Sequence, residues 1–114
     1  MIKSFARVAR EIPDAVLLIV GEPLFNRDEE YAEELRRTAA SLGIDEGVKF
    51  LGGRSDVPEL MQAMDVLVVN SHEEPFALTV LEGLASGVAV VATAENEIQS
   101  VTWRTLTSAE IDDF

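Results

Sequence analysis

Val66-Leu67-Val68-Val69 and Val88-Ala89-Val90-Val91-Ala92 are short apolar runs, and between them stands Ser71-His72-Glu73-Glu74-Pro75-Phe76-Ala77-Leu78-Thr79-Val80-Leu81-Glu82-Gly83-Leu84-Ala85-Ser86-Gly87. Neither run is interrupted by a polar residue, which is how a strand covered on both faces reads. Leu78 to Ser86 has the composition of a helix, and Gly87 supplies the residue that ends one. Strand, helix and strand in succession imply a parallel pair, because parallel strands need a crossover. Two carboxylates stand out in this unit. Glu74 falls in the loop at the first strand's carboxyl end, and Glu82 falls inside the helix. Open α/β sheets bind ligands at the carboxyl ends of their strands, and two acceptors there suit a ligand rich in hydroxyl groups.

Toward the N-terminus the alternation continues. Ile2, Phe5, Ala9 and Ile12 form the apolar stripe of an opening helix whose basic side carries Lys3, Arg7 and Arg10. Pro13-Asp14 ends it. Val16 to Val20 reads as a strand, leaving through Gly21-Glu22-Pro23. A long helix is expected from Arg27 to Leu42, with Asp28, Glu29 and Glu30 in its first turn, Glu33 and Arg37 as an i,i+4 pair, and Gly43 just past its end. Val48 to Leu51 is a strand closed by Gly52-Gly53. Asp56 is the expected N-cap of a short helix from Val57 to Met64, with Pro58 in its first turn. Asp65 to Val69 completes the third strand.

The chain resembles the C-terminal, donor-binding domain of GT-B fold retaining glycosyltransferases of the family 4 type. Glu74 and Glu82 match that family's Glu-x7-Glu signature. Pro13-Asp14-Ala15-Val16-Leu17-Leu18-Ile19-Val20-Gly21, Val48-Lys49-Phe50-Leu51-Gly52, Asp56-Val57-Pro58-Glu59-Leu60-Met61 and Ala63-Met64-Asp65-Val66-Leu67-Val68 follow in the family's order. The resemblance covers residues 1–101 and leaves 102–114 as a divergent tail. It implies a donor domain truncated at both ends: the family's first strand, with its Gly-Arg turn and a lysine-bearing loop, has no counterpart here. The expected fold is α/β, a Rossmann-like three-layer sandwich on a small parallel sheet. With the family's central strand absent, its four strands are expected to close up in the order 2-1-3-4.

By resemblance, Glu82 accepts hydrogen bonds from the ribose hydroxyls of a nucleotide-diphosphate sugar. Glu74 approaches the transferred sugar as the catalytic carboxylate. Phe76, Ala77 and Leu78 present backbone N–H groups to the diphosphate at a helix start, and Arg54 stands at a strand exit within reach of base or phosphate. Ala77 stands where the family usually has glycine, and Gly83 and Ala89 stand where it has alanine and proline. Gly83 is expected to weaken its helix by up to ~1 kcal/mol. The implied activity is glycosyl transfer with retention, needing no metal or other cofactor. The acceptor domain lies outside the chain, so the chain alone is expected to be inactive. A non-catalytic nucleotide-sugar-binding module and a self-associating domain, such as a homodimer, are the alternatives.

Composition narrows the partners. The 114 residues carry 21 acids against 9 Lys and Arg, a net charge of -12, which repels nucleic acid and anionic membrane surfaces. There is no cysteine, so disulfides and thiolate chemistry are excluded. No apolar run approaches the ~20 residues that span a bilayer, and no signal-peptide pattern opens the chain. The expected compartment is the cytoplasm. His72, the single histidine, is read as a surface residue, and no cluster has metal-ligand spacing.

Overall fold

The computed structural model describes residues 1–22, 26–70 and 78–92. In chain order they form α1 (Ile2–Glu11), β1 (Leu17–Val20), α2 (Asn26–Ser41), a 3-10 turn (Asp45–Gly47), β2 (Val48–Gly52), α3 (Val57–Ala63), β3 (Val66–Val69), α4 (Leu78–Ala85) and β4 (Ala89–Ala92). The chain divides into two compact units, Met1–Val57 and Pro58–Phe114.

In the first unit β1 and β2 run parallel, with Leu17 opposite Val48 and Ile19 opposite Phe50, and the register shifts before Val20 meets Gly52. Those four inward residues share one face, and α1 and α2 cover it with Ile2, Phe5, Leu35 and Ala39. The apolar period of α1 explains its placement: Ile2, Phe5 and Ala6 are buried while Lys3, Arg7 and Arg10 stay outside. The Arg36 guanidinium of α2 lies 4.7 Å from the centre of the Phe50 ring, a cation–π contact. Glu33 pairs with Arg37 at 3.5 Å, as the sequence predicts, and also with Arg36 at 3.8 Å. These exposed pairs contribute a few tenths of a kcal/mol each.

Both long crossovers end the same way. Gly43, at φ 68°, donates its N–H to the Ala40 carbonyl, while the Ile44 N–H reaches Ala39. Gly87, at φ 77°, donates to Leu84 while Val88 reaches Gly83. These are Schellman caps, in which a left-handed glycine lets the chain reverse into the next strand. An L-residue in that conformation costs roughly 1–2 kcal/mol. Gly43→Ala is therefore expected to lower the melting temperature of the first unit by about 4–8 °C. A calorimetric melt unchanged from the parent would contradict this.

In the second unit β3 and β4 pair in parallel, Val66 opposite Ala89 through Val69 opposite Ala92. Leu67, Val69, Val90 and Ala92 turn toward α4, whose Val80 is 1% exposed. Val66 and Val68, on the other face of β3, are about half exposed. Met61 of α3 is also buried, and the Ser86 hydroxyl lies 3.9 Å from its sulfur.

The strands do not form one sheet in the order 2-1-3-4. They form two two-stranded sheets, β1-β2 and β3-β4. The expectation rests on the cost of leaving β1 and β3 edges unpaired in a dry slot. Within each unit every strand has a paired edge, β1 on β2 and β3 on β4, so each sheet is built without a strand from the other unit. The three-layer expectation meets the same limit: in each described sheet, the helices that build the core lie on one face.

Candidate functional site

The carboxyl ends of β1 and β2 meet in a bare stretch of backbone. The Gly21 N–H donates to the Gly52 carbonyl at 2.9 Å, which ties the two strand exits together. Gly21 (φ 137°) and Gly52 (φ 66°) hold dihedrals that only glycine adopts freely. A Cβ at either would meet nothing within 4 Å, so both open outward. Gly53 differs. A Cβ there would stand 2.6 Å from both Cδ and Oε1 of Glu22. The Glu22 side chain fills the space that any other residue at 53 would claim.

Arg54, the sequence candidate at this rim, is not a free cation. Its Nε donates to Asp56 Oδ1 at 2.7 Å and its Nη2 to Asp56 Oδ2 at 2.6 Å. This two-pronged pairing is the geometry guanidinium and carboxylate favour. The hydrogen bond with Asp56, reinforced by its charge, holds the Arg54 guanidinium above its ordinary range. The hydrogen bond from Arg54 likewise holds the Asp56 carboxyl below its own. Asp56, expected as the cap of α3, accepts one prong of Arg54 on each oxygen. A depressed carboxyl stabilises the fold above its unfolded pKa and loses that contribution as pH falls through its folded value. The stability gap between the parent and Asp56→Asn is expected to be small and steady from about pH 5 to 8, closing below about pH 4. Thermal melts across that range check it, and a gap that widens in acid would contradict it.

In the second unit α4 begins at Leu78, after the carboxyl end of β3. Val80 and Gly83 point into the β3–β4 sheet, and Glu82 lies exposed, one turn from the helix start. Its main-chain carbonyl accepts from both the N–H and the hydroxyl of Ser86, at 2.9 and 2.8 Å. Among the described residues its carboxylate has no hydrogen-bond or ion-pair partner, so it is available to a ligand. Leu78, the last of the three residues expected to meet a diphosphate, is exposed at the start of this helix. Glu74, Phe76 and Ala77, with His72, lie outside the described residues. The sequence reading overlooked Glu22, although the logic that selects Glu74, an acid at a strand's carboxyl end, applies equally to it.

Two further features bear on the chemistry. A groove of about 530 Å³, lined by Phe5, Ala9, Arg10, Ala15, Asp45 and Glu46 among others, sits at the amino-terminal ends of β1 and β2. That is the end opposite to the one where α/β folds bind ligands. Among the described residues no group of three or more His, Cys, Asp or Glu is placed to hold a metal ion, and no helix is long and apolar enough to cross a membrane.

Residues 1–104 match the model of the family described as Glycosyl transferases group 1. The mannosylfructose-phosphate synthase of Agrobacterium fabrum is 32% identical over 97 residues, which cover 82% of this chain and 21% of that protein. The N-acetyl-alpha-D-glucosaminyl L-malate synthase of Bacillus anthracis is 33% identical over 101 residues, covering 89% and 25%. Among solved structures, Anabaena HepE in complex with UDP-glucose matches with a TM-score of 0.81 at 32% identity, over 90% of this chain and 28% of that one. The C-terminal domain of a group 1 family protein, LpcC of Francisella tularensis, matches at 0.79 and 29%, over 90% and 54%. The chain thus spans about a fifth to a quarter of the length of these curated relatives.

Proposed function

The chain belongs to the group 1 glycosyl transferases, and from that membership we propose that it is the donor side of an enzyme that moves a glycosyl group from a nucleotide-diphosphate sugar to an acceptor with retained anomeric configuration. The observation that carries this reading is the placement of Glu82: exposed, one turn into a helix that follows the carboxyl end of a parallel strand, on a helix fixed by Val80 and Gly83. That HepE is known in complex with UDP-glucose supports the same class of donor.

In this reading Glu82 accepts from the two vicinal ribose hydroxyls, a task suited to two carboxylate oxygens. The start of α4 contributes about half a positive charge toward the diphosphate. Glu74 faces the transferred sugar and stabilises positive charge as the bond from the anomeric carbon to the diphosphate breaks. The acceptor hydroxyl oxygen then bonds to that carbon on the same face, and the nucleoside diphosphate leaves, its freed phosphate oxygen taking the proton that the hydroxyl gives up. Arg54, already held by Asp56, is better suited to the base side of the donor than to neutralising phosphate. Binding in this scheme needs no metal ion. We place the activity in the cytoplasm, in keeping with the absence of cysteine. The acceptor side comes from a further domain, and the chain alone binds donor without transferring it.

Titration with UDP-, GDP- and ADP-sugars, followed by amide chemical shifts, tests the reading. Shifts are expected along Leu78 to Glu82 and are lost in Glu82→Ala. A full titration that leaves α4 unmoved would sink it.

A further inference from the structure

We propose that the groove at the amino-terminal ends of β1 and β2 is a docking site for a basic, leucine-bearing segment of a partner protein. It lies at the opposite end of the β1-β2 sheet from the strand exits and does not depend on the nucleotide-sugar reading. Its floor is the outer surface of the first unit's core. Phe5 belongs to that core, Ala9, Ala15 and Ile44 pack against it, and all four line the groove, whose volume is about 530 Å³. That is room enough to take apolar side chains from outside. The turn that forms one wall is fixed, since the Ile44 N–H donates to the Ala39 carbonyl and the Gly47 N–H to the Ile44 carbonyl.

The apolar stripe of α1 runs out of the core here. Ile2 is 3% exposed and Phe5 9%, but Ile12, at the other end of the stripe, is 57% exposed. Leu42, in the groove lining just past the end of α2, is 40% exposed. An apolar surface rimmed by charges marks a place where something else packs.

The rim says what that something is. Cations favour the C-terminal end of a helix and acids oppose it. α1 follows the rule, with Arg10 in its last turn. α2 has no basic residue in its last turn, and Asp45 and Glu46 come shortly after its end. Arg36 and Arg37, the preceding cations in α2, are engaged by the Phe50 ring and by Glu33. Among the described residues the carboxylates of Asp45 and Glu46 have no hydrogen-bond or ion-pair partner. The 3-10 turn that they open has three residues, too few aligned peptides to answer two charges. A local rule broken without local gain is the mark of a functional constraint. The apolar floor takes leucine side chains, and the rim takes Lys or Arg.

Charge also removes the other occupants. A second copy carries a net charge of -12 and is repelled. Residues 93–114 of this chain hold Glu95, Glu97, Glu110, Asp112 and Asp113 against the single Arg104, so this stretch is a poor match for an acidic rim. Anionic lipid is repelled in the same way.

Three probes test the proposal on the full chain: a capped peptide alternating lysine and leucine, its analogue with serine for leucine, and oligolysine. The lysine–leucine peptide is expected to bind, with amide shifts at Phe5, Ala9 and Ile44 to Gly47. The serine analogue and oligolysine should bind at least about tenfold more weakly, because burying leucine supplies most of the affinity. Asp45→Asn with Glu46→Gln should weaken the lysine–leucine peptide about fivefold at low salt and little at high salt. Glu29→Gln with Glu30→Gln removes the same charge at the other end of α2 and should leave binding unchanged. The Asp45→Asn, Glu46→Gln variant should melt no lower than the parent, since it relieves the conflict with the helix pole. No binding of the lysine–leucine peptide overturns the proposal, as do shifts confined to other parts of the chain. Oligolysine binding as tightly, or the Glu29 and Glu30 pair mattering as much as the Asp45 and Glu46 pair, reduces the effect to overall charge and overturns it too.

Discussion

Gly83→Leu is expected to unfold the Pro58–Phe114 unit at room temperature. An ideal Cβ at position 83 would press into Leu67 Cδ2 and would stand 3.1 Å from Val90 Cγ2 and 3.5 Å from Val88 Cγ1. Leu67 belongs to β3 and Val90 to β4, so the glycine marks the place where α4 crosses both strands at close range. Two effects compete when alanine is placed there. Alanine favours a helix over glycine by about 1 kcal/mol, whereas overfilling a packed contact costs roughly 1–3 kcal/mol. The Leu67 side chain can turn aside, but the stiff, β-branched Val90 must also give way, and a net loss of about 1 kcal/mol is expected for Gly83→Ala. Leucine leaves no room for compromise. Its branched side chain lifts α4 from the sheet and exposes Val80, which is 1% accessible in the fold. The combined loss reaches at least about 3 kcal/mol, a large share of the stability of any small unit. Circular dichroism melts, with amide exchange along Leu78 to Ala92, measure it. Exchange protection equal to the parent's in Gly83→Leu would mean that α4 is not seated on β3-β4.

Gly83 also shows which parts of this fold the sequence discloses. Read locally, it is a weak point in a helix, because helix propensity is a property of one residue and its turn. In the fold it is a requirement, because two strands approach from elsewhere in the chain. Gly43 and Gly87 are legible for the opposite reason. The Schellman cap is local, and a glycine after an apolar helix is enough to announce it. The order of elements follows from apolar runs alternating with helical periods, and each expected element appears within a few residues of its place. The 3-10 turn at Asp45–Gly47 was not anticipated, since three residues carry no period. Strand order was also out of reach: Val16 to Val20 and Val66 to Val69 are uniformly apolar, and such runs say that a strand is covered without saying by which neighbour. At the site, spacing reveals Glu82 and places it on a helix after a strand. Arg54 illustrates the limit. A cation at a strand exit invites a phosphate, but Asp56 stands two residues away, and only geometry shows that it takes the guanidinium by both prongs.

Glu82→Ala is expected to weaken binding of UDP, GDP and ADP by the same factor, about 10- to 150-fold. A hydrogen bond to a charged group contributes about 1.5–3 kcal/mol, and each 1.4 kcal/mol is tenfold in affinity. The fold should not suffer, because Glu82 is exposed and alanine is a better helix former. The uniformity across bases is the informative part, since all three nucleotides present the same ribose. A nucleotide lacking both the 2′ and 3′ hydroxyls closes the cycle: it should bind the parent weakly, and Glu82→Ala should weaken it no further. If the alanine variant loses as much affinity for the dideoxy nucleotide as for the natural one, Glu82 does not meet the ribose, and the donor-binding role falls with it.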